Sequence, residues 1–471
     1  MESARDYLNG SLAAHVLGYL GELSDEEFEE KEKEGYILGD VIGKTGVEKE
    51  YESLLRGEKG GRHVEVDATG RVLRVLSSKD PIPGHNLSLT IDRDIQLATE
   101  MALAEAIQSA HKQKYSQAAA GAAVVMDATN GEILALTSYP THDPRIFIGG
   151  ISKEQWSALN DKASHYPLIN RAMMCSYAPG STFKPITGIA GLAEGLISPR
   201  STFDCRGRWT GMGERWAKYC WKRSGHGRID FNLGVVESCD VVFYEIGYKF
   251  YKTGQEGLQK WARKFGLGLP TGVDLPSEAR GRVPDKDWKK KWNKNNPRNQ
   301  IWLPGDTVNL AIGQGDLLVT PLQMASVFAT IANEGTLYRP RVAKSLSAGS
   351  GKVEHEFDSQ VMDRLELSPG ILRTLKRDLE RVVTQGTAKG AFAGFPIPVA
   401  GKTGTAEVRG KDDFAWFACY APANDPKYVI LVMVEQGGHG GSTAAPAARQ
   451  ILSHIYGVPF EVPSGLIDPS R

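Results

Sequence analysis

The sequence has no long apolar run, few cysteines and no excess of charge of either sign. Its 471 residues include 56 Lys and Arg against 56 Asp and Glu, so the formal net charge is zero. A neutral chain has no overall positive field, so nucleic acid is not expected as its partner. The richest apolar runs, residues 118–126 and 429–434, are far shorter than the ~20 residues needed to cross a bilayer. No signal peptide is visible at the amino terminus, so the sequence predicts a soluble chain.

The composition is that of an ordinary globular protein. Hydrophobic residues make up 41% of the chain and charged residues 24%, which excludes a disordered chain, a collagen and a disulfide-dense mini-protein. At roughly 150 residues per domain, the length predicts about three units or one large domain with an appendage. The sequence shows neither an internal repeat nor a glycine-rich phosphate loop.

Hydrophobic patterning predicts helices packed around late antiparallel strands, an α+β arrangement. Hairpins are predicted over residues 62–76, with a turn at Ala68-Thr69-Gly70, and over residues 121–136, with Asn130-Gly131 as the turn. Helices are predicted over 93–112 and 371–383 and after Ser442, and strands over 87–91, 414–419 and 428–434. Ser24–Glu27 has the form of a capping box. The rigid segment Asp80–Gly84 is the predicted domain boundary.

The segment Pro179–Lys184 carries the first chemical signal, a serine followed three residues later by a lysine. If a helix begins at Ser181, Lys184 lies one turn further along the same face. A serine hydroxyl becomes a nucleophile when a base takes its proton, and a lysine with a lowered pKa can be that base. Backbone N–H groups at the helix start would face a developing oxyanion. This pattern recurs by chance, so it needs further support.

Two more elements follow in order along the chain. The segment Ser238–Asp240 offers a hydroxyl that can relay a proton and a carboxylate that can hold Lys184. The segment Lys402–Thr405 predicts a strand edge along which a substrate can lie, with Gly404 leaving room for it. Taken singly, Ser238 could be a helix cap and Gly404 a turn residue. All three elements in this order favour a serine acyltransferase.

This ordered set resembles the one shared by penicillin-binding proteins and class A β-lactamases. The chain is similar to the class B penicillin-binding proteins of the cell-elongation type over nearly its whole length. Asp240 stands where many relatives, the division-specific transpeptidases among them, have Asn, and Asp is similar to the elongation type. Further marks of the resemblance are residues 43–57, Leu89-Thr90-Ile91-Asp92, Gly225-His226-Gly227, Gly313-Gln314-Gly315 and Thr320-Pro321-Leu322-Gln323.

The resemblance implies a fold and a reaction. The expected fold is a five-stranded antiparallel sheet between helical layers, with residues 1–85 as the remnant of a non-catalytic pedestal and residues 86–471 as the transpeptidase domain. Ser181 would attack the D-Ala-D-Ala amide of a peptidoglycan stem peptide with Lys184 as base, and D-Ala would leave. The amine of a neighbouring stem would then capture the acyl group. β-Lactams imitate D-Ala-D-Ala and would acylate the same serine.

The resemblance also implies roles for the other motif residues. The backbone N–H groups of Ser181 and Thr405 would hold the oxyanion, and Ser238 would pass a proton to the leaving amine. The implied catalytic residues are Ser181, Lys184, Ser238 and Asp240. The implied substrate-binding residues are Lys402, Thr403, Gly404 and Thr405, with Lys402, Thr403 and Thr405 recognising the terminal carboxylate.

Five cysteines, an odd number, exclude complete intramolecular pairing. Cys205, Cys220 and Cys239 bracket His226, and three thiols with one imidazole suffice for a tetrahedral structural zinc. The polar loop between them has little to bury, so a metal could pin it. Some elongation-type transpeptidases are similar, with Asp, His and Cys ligands in this region. A Cys205–Cys220 disulfide with a buried Cys239, or Asp204 in place of Cys205, are the alternatives.

Other residues carry weaker signals. His439, in a glycine-rich loop, either lines the cleft or is solvated. The basic stretch Lys286–Arg298 could bind anionic polymers, but a solvated face is the commoner explanation. The remaining two cysteines, Cys175 and Cys419, are predicted core residues. The three tryptophans near the cysteine loop are predicted to pack rather than to contact substrate; they are Trp209, Trp216 and Trp221.

The resemblance implies partners and a location. Family members carry one amino-terminal membrane helix, which is not visible here, so we expect a truncated form of a protein tethered to the cytoplasmic membrane and facing the envelope. The expected partners are peptidoglycan stem peptides, β-lactams and a SEDS-family glycan polymerase of the RodA type. A carboxypeptidase or β-lactamase on the same scaffold, and a scaffold that binds without turnover, are the competing hypotheses. The pedestal argues against a free hydrolase, and the intact serine and lysines argue against a scaffold.

Overall fold

The computed structural model describes residues 5–349 and 351–459. Its helices are α1 (Ala14–Leu17), α2 (Asp25–Lys31), α3 (Gly46–Glu50), α4 (Glu52–Leu55), α5 (Arg93–Gln113), α6 (Lys153–Leu159), α7 (Lys184–Ala193), α8 (Phe231–Val236), α9 (Asp240–Thr253), α10 (Gly257–Lys264), α11 (Lys286–Trp292), α12 (Pro304–Ala311), α13 (Pro321–Ala332), α14 (Pro369–Thr384) and α15 (Ala444–Ile455). Its strands are β1 (Leu20–Glu22), β2 (Val41–Gly43), β3 (Gly61–Val66), β4 (Val72–Lys79), β5 (Asn86–Leu89), β6 (Ala120–Asp127), β7 (Ile133–Tyr139), β8 (Thr202–Cys205), β9 (Arg208–Trp209), β10 (Lys218–Tyr219), β11 (Gly227–Asp230), β12 (Thr336–Tyr338), β13 (Ala343–Ser347), β14 (Val353–Glu356), β15 (Val361–Arg364), β16 (Ala400–Ala406), β17 (Phe414–Ala421) and β18 (Tyr428–Glu435).

A five-stranded antiparallel sheet in the order β16-β17-β18-β6-β7 forms the centre of the fold. The hairpin β6–β7 turns at Asn130-Gly131, where Gly131 has a φ of +79° that a glycine adopts without strain. Strands β17 and β18 pair directly, with Phe417 opposite Val432. The predicted α+β class and five-stranded antiparallel sheet are confirmed. Strand β16 lies at one edge and is paired on one side only, so its other side is available to the site described below.

Helices cover both faces of this sheet. Alternate residues of the central strands enter two different cores: Val124, Leu431 and Met433 pack on the side of α13 and α7, whereas their chain neighbours pack on the side of α5 and α15. A strand buried on both faces reads as a continuous apolar run. This explains why residues 429–434 are uniformly hydrophobic.

The long predicted helices are also present. Helix α5 spans Arg93–Gln113 and begins where the Asp92 carboxylate accepts the N–H groups of Asp94 and Ile95. Helix α14 spans Pro369–Thr384 and buries the predicted apolar face against the core. The capping box at Ser24 is formed, with hydroxyl and Glu27 carboxylate each accepting a backbone N–H. In these elements local sequence and tertiary packing favour the same structure.

The amino-terminal segment contacts the larger part through a few buried polar links. The Tyr51 hydroxyl donates to Asp274 at 2.7 Å, and His15 Nε2 lies 2.8 Å from the Pro167 carbonyl. In contrast, β3 and β4 form the predicted hairpin with every residue of β4 exposed. Across the residues that the structure describes, none of the helices combines the length and apolar character of a membrane span.

Candidate active site

Ser181 lies in a tight turn directly before a buried helix. Residues Gly180–Phe183 form a 3₁₀ turn and α7 begins at Lys184, so the helix predicted from Ser181 starts with 3₁₀ geometry. Gly180 has a φ of +54°, and a Cβ there would lie 2.6 Å from the Thr405 carbonyl oxygen. Only glycine permits this close approach. It brings the serine turn against the edge strand β16.

Lys184 and Lys402 converge on one hydroxyl. Lys402 Nζ donates to Ser238 Oγ at 2.7 Å, and Lys184 Nζ lies 3.3 Å from the same oxygen. Lys184 also donates to the Ser238 carbonyl at 2.8 Å and to Asp240 Oδ1 at 2.7 Å. The motifs that contain Lys184, Ser238 and Lys402, which are far apart in sequence, therefore meet at the Ser238 hydroxyl. Within the described part of the chain, the Ser181 hydroxyl makes no hydrogen bond and faces the open cleft.

Burial sets the electrostatics of this cluster. The side chains of Lys184 and Lys402 are both fully buried. Loss of hydration lowers the pKa of Lys402 well below its usual range, and the neighbouring Lys184 lowers it further, while Asp240 opposes both effects. Lys402 is therefore an amine that can lose its proton far more readily than a surface lysine. Such a group can take part in proton transfer near neutral pH.

Ser238 is held in an unusual backbone conformation. Its φ is +51°, in the left-handed region that non-glycine residues rarely adopt. The following residues fix this geometry, because α9 begins at Asp240 and the Trp221 N–H donates to Asp240 Oδ2 at 2.9 Å. The strained conformation aims the hydroxyl between the two lysines.

The edge strand β16 forms one wall of the site. Thr403 and Thr405 line the cleft, and Thr403 Oγ1 lies 2.6 Å from Thr387 Oγ1. A Cβ on Gly404 would come within 2.9 Å of Thr182 Cγ2 and of Trp416 Cβ, so a larger residue does not fit. Lys402 lies beneath the strand rather than on the cleft wall. It contacts the cleft through Ser238 and the Thr403 carbonyl, 3.1 Å away.

These residues line a cleft of about 1580 Å³, large enough for a peptide. Sequence reasoning missed most of its walls, because the side chains come from separate loops and carry no shared motif. His439, which the sequence left undecided, lines the cleft. The lining residues that the sequence did not single out include Tyr115, Tyr219, Arg223, Tyr244, Glu407 and Asp413, whereas Gln314 belongs to a motif of the family resemblance.

The predicted cysteine cluster is assembled beside the catalytic groups. The Sγ atoms of Cys205 and Cys220 lie 3.5 and 3.6 Å from His226 Nδ1, and together with Cys239 all four ligand atoms lie within 4.8 Å of one another. All five cysteines are free thiols, so the alternative Cys205–Cys220 disulfide is absent. Asp204, the other alternative, is more than half exposed and pairs with Arg206 at 2.8 Å.

The donor set of this cluster fits a tetrahedral metal ion. Three sulfurs and one imidazole nitrogen, all largely buried, match the ligands and spacing of a closed structural site. A hydrogen bond from the Cys239 thiol and the contact with His226 lower the pKa of Cys220, and the same pairing raises the pKa of Cys239. These contacts therefore favour the thiolate form of Cys220. His226 Nε2 is buried without a hydrogen-bond partner among the described residues.

The remaining candidates divide between core and surface. Cys419 is fully buried in the core on the side of α5 and α15, and Cys175 is half-buried against the core on the other face of the sheet, as predicted. Trp209 is buried and donates to Glu245 at 2.6 Å. The prediction that all three loop tryptophans pack was wrong for Trp216, which is 61% exposed, and for Trp221, which lines the cleft. Trp221 is exposed because its loop forms part of the cleft wall, and this tertiary arrangement cannot be predicted from the local sequence.

Comparison with known proteins agrees with this geometry. Residues 121–453 match the penicillin-binding protein transpeptidase domain, and residues 1–89 match the penicillin-binding protein dimerisation domain. The chain is 34% identical to peptidoglycan D,D-transpeptidase MrdA of Haemophilus influenzae, over 96% of this chain and 69% of that one.

Solved structures give the same result. The chain matches PBP2 of Helicobacter pylori, from its complex with MreC, with a TM-score of 0.81 and 33% identity over 97% of this chain and 80% of that one. It also matches a chain of a peptidoglycan synthase complex that coordinates polymerization and crosslinking, with a TM-score of 0.83 and 32% identity over 98% and 77% of the two chains. The chain therefore belongs to the penicillin-binding protein transpeptidases of the PBP2 (MrdA) type.

Proposed function

We propose that this chain is a peptidoglycan D,D-transpeptidase in which Ser181 forms the acyl-enzyme. The observation that carries the proposal is the convergence of Lys184 and Lys402 on the Ser238 hydroxyl, beside a cleft lined by Ser181 and Thr405. A nucleophile, amines that can exchange protons and a hydroxyl relay are the parts that serine acyl transfer requires.

The acylation step uses these groups in order. Ser181 Oγ attacks the carbonyl carbon of the D-Ala-D-Ala amide, and its proton passes to Lys184, which acts as the base. The C–N bond breaks as Ser238 delivers a proton to the leaving nitrogen and regains one from Lys184, 3.3 Å away, and D-Ala departs. An amine of a second stem peptide then attacks the ester carbonyl. Its proton passes through Lys184 to Ser181 Oγ as the ester C–O bond breaks, which frees Ser181 and leaves the cross-link amide. Asp240 holds Lys184 in place at 2.7 Å throughout.

The oxyanion of each tetrahedral intermediate would lie between Ser181 and Thr405. The first N–H groups of the turn that contains Ser181 have no partners within the turn, and edge strand β16 is unpaired on its cleft side. Gly180 and Gly404 allow the two segments to come this close. Donors fixed in this way stabilise developing charge without reorganisation. Lys402, Thr403 and Thr405 would recognise the terminal carboxylate, Lys402 through its field beneath the strand.

A labelled penicillin tests this proposal. Intact mass spectrometry of the chain should show one stable adduct, which Ser181→Ala abolishes and Ser109→Ala, a serine on the opposite cleft wall, retains. Fast release of the label by water would indicate a hydrolase instead. Absence of an adduct on the unmodified chain would refute the enzymatic role of the cleft and leave only binding.

We further propose that Cys205, Cys220, His226 and Cys239 hold a structural zinc ion. The cluster fits its ligand set, and Cys239 lies between Ser238 and Asp240 in the chain. When bound, zinc would supply a cross-link between the β8–β11 region and the start of α9. Elemental analysis after purification without chelator should then find about one zinc per chain, and less than ~0.1 would refute the proposal.

We also propose that residues 1–85 form the remnant of a pedestal, that residues 86–471 form the transpeptidase domain, and that the protein acts in cell elongation, tethered to the cytoplasmic membrane with its cleft facing the envelope. A RodA-type SEDS polymerase is the proposed partner. Support comes from the relative found with MreC and from the relative in a peptidoglycan synthase complex. Co-purification of this chain with such a polymerase, lost on deletion of residues 1–85, would test the assignment.

A further inference from the structure

An exposed face of paired tryptophans and lysines lies outside the cleft. Trp288 and Trp292, one turn apart on α11, stack with ring centroids 5.7 Å apart and an interplanar angle of 23°. The Arg282 guanidinium lies over both rings, 4.7 Å from one centroid and 5.6 Å from the other. Trp292 is 68% exposed. Trp288 is half-buried, so Trp292 provides most of the aromatic surface that faces solvent. We call it, with Lys290, Lys291 and Lys294, the tryptophan–lysine face.

The charge of this face is not neutralised locally. Lys289 pairs with Asp306 and is used in holding α11 against α12. Lys290, Lys291 and Lys294 are exposed, and no carboxylate of the described residues lies within ion-pair distance of them. The face therefore carries a net positive field beside its aromatic surface. A solvated basic helix would explain the lysines, but it would not explain a strongly exposed indole, Trp292, stacked on the half-buried indole of Trp288.

The loop after α11 adds polar groups without hydrogen-bond partners. Asn295, Asn296 and Asn299 are exposed, and their side chains make no hydrogen bond within the described chain. Neither indole N–H of the stacked pair donates to a described residue, whereas the nearby Trp302 donates to Thr307 at 2.8 Å. Amide and indole donors beside an aromatic surface are better suited to binding sugar hydroxyls and N-acetyl groups than to binding a lipid surface.

This face is connected to the cleft by a single short helix. Helix α12 begins at Pro304, next to the Lys289–Asp306 pair, and spans eight residues, or about 12 Å. Near its other end Asn309 accepts a hydrogen bond from Lys218 at 2.6 Å, and Gln314, just beyond the helix, lines the cleft. A polymer that entered the cleft through one stem peptide could reach the tryptophan–lysine face with a neighbouring part of the same strand.

We propose that the tryptophan–lysine face binds peptidoglycan strands at a second site outside the catalytic cleft. The indole pair would stack on sugar rings, and the three free lysines would meet the carboxylates of stem peptides. The inference rests on the proposed function, because the ligand is the polymer that the cleft would cross-link. Binding would raise the local concentration of stem peptides at the cleft without contacting the reacting atoms.

The test measures binding with the cleft closed. The chain is first acylated with penicillin and then sedimented with purified peptidoglycan sacculi at several salt concentrations. We expect Trp292→Ala and the pair Lys290→Glu/Lys291→Glu each to weaken sacculus binding at least fivefold, with wild-type binding falling as salt rises. Matched controls lie in α6 and just after it, where Trp156 is 45% exposed and Lys153 and Lys162 are exposed. Trp156→Ala and Lys153→Glu/Lys162→Glu should leave binding unchanged.

The outcomes separate this inference from the function on which it rests. Unchanged rates of penicillin acylation in all variants, with binding lost only in the α11 variants, would support the second site. Equal sacculus binding by wild type and α11 variants would overturn it. A second result would also overturn it: the wild type binds vesicles of anionic phospholipid, the α11 variants lose this vesicle binding, and their sacculus binding persists. The face would then contact a membrane rather than peptidoglycan. A wild type without any penicillin adduct would instead refute the catalytic proposal itself.

Discussion

Replacing Lys402 by methionine should stabilise the protein while nearly abolishing acylation. Methionine fills a similar volume but carries no charge, and Lys402 is fully buried. Its amine donates to Ser238 Oγ at 2.7 Å and to the Thr403 carbonyl at 3.1 Å, and it shares Ser238 Oγ with Lys184. The native residue is therefore retained for chemistry at a cost in stability, as is common in active sites.

The magnitude follows from two opposing contributions. Two unit charges roughly 5 Å apart repel by about 3 kcal/mol at an effective dielectric constant of 20, and burial adds a desolvation penalty to Lys402. Against this, the variant loses two hydrogen bonds that contribute about 1 kcal/mol each. Replacing buried charges by well-packed apolar groups often stabilises a protein by about 1–4 kcal/mol. We therefore expect a net gain of about 1–2 kcal/mol at pH 7, or roughly 2–6 °C in Tm.

The lowered pKa of Lys402 fixes the direction in which the stability effect of Lys402→Met changes with pH. Because the pKa of Lys402 is lowered in the folded state, the unfolded chain binds more protons between that pKa and the ordinary value near 10.5. The stability of the native protein therefore rises with pH across this window. The advantage of Lys402→Met should be largest below the lowered pKa of Lys402 and should disappear as the pH approaches 10.5.

Thermal unfolding and acylation by a fluorescent penicillin, each measured across pH, provide the assay. Lys389→Met, at an exposed position, is the control and should change neither quantity. Acylation of Lys402→Met should fall at least about 100-fold, as when one preorganised donor is lost. A Tm of Lys402→Met below that of the native chain at pH 7, or an advantage that does not vary with pH, would refute the account of Lys402 as a destabilising, readily deprotonated amine.

Three further predictions concern backbone space, the cysteine cluster and a buried histidine. Gly404→Ala should lower the free energy of unfolding by about 1–3 kcal/mol, because the added Cβ overpacks against Thr182. It should also slow acylation at least tenfold. Chemical denaturation measures the first effect and penicillin labelling the second, and full acylation activity would contradict the tight fit. Cys239→Ser should remove zinc and lower Tm, whereas Cys175→Ser, outside the cluster, should keep zinc by elemental analysis. Burial lowers the pKa of His15 to about 3, so between pH 6.5 and about 3 the unfolded state binds one more proton than the folded state. The free energy of unfolding therefore decreases as the pH is lowered, by up to about 1.4 kcal/mol per pH unit. His15→Gln should flatten this acid limb in urea titrations, and an unchanged slope would exclude His15 as its source.

The sequence predicts well those features that depend on local rules. The hairpin at Asn130-Gly131, the helix capped by Asp92 and the apolar strand at residues 429–434 each follow from turn geometry, capping or burial on both faces. The motifs around Ser181, Ser238 and Lys402 were identified by their order along the chain and by the family resemblance, because the spacing between Ser181 and Lys184 alone recurs by chance. The four residues of the cysteine cluster were expected to lie together because thiols are rare in this chain and therefore conspicuous. Their catalytic and metal-binding roles stay predictions.

Features that depend on several distant loops could not be predicted in this way. Glu407, Asp413 and Tyr219 line the cleft, yet each is an ordinary surface residue type in its local context. The exposure of Trp221 depends on the path of the loop between β10 and β11. This loop is held near the start of α9, because the Trp221 N–H donates to Asp240. The 3₁₀ start of the helix at Gly180 depends on the close approach of strand β16. In each case tertiary contact, not local preference, sets the outcome.

The position of Cys239 links the cysteine cluster to the strain at Ser238. A left-handed serine costs on the order of 1–3 kcal/mol, and such strain persists only where the surrounding structure enforces it. On its amino-terminal side Ser238 follows α8, whereas its carboxyl-terminal neighbour belongs to the cluster and the next residue opens α9 and holds Lys184. Relaxing φ at Ser238 would therefore move Cys239 Sγ out of the cluster and the Asp240 carboxylate away from a buried amine at the same time. Breaking a buried ion pair alone costs on the order of 3–5 kcal/mol, which exceeds the strain. These contacts therefore keep the Ser238 hydroxyl between the two lysines even in the absence of substrate.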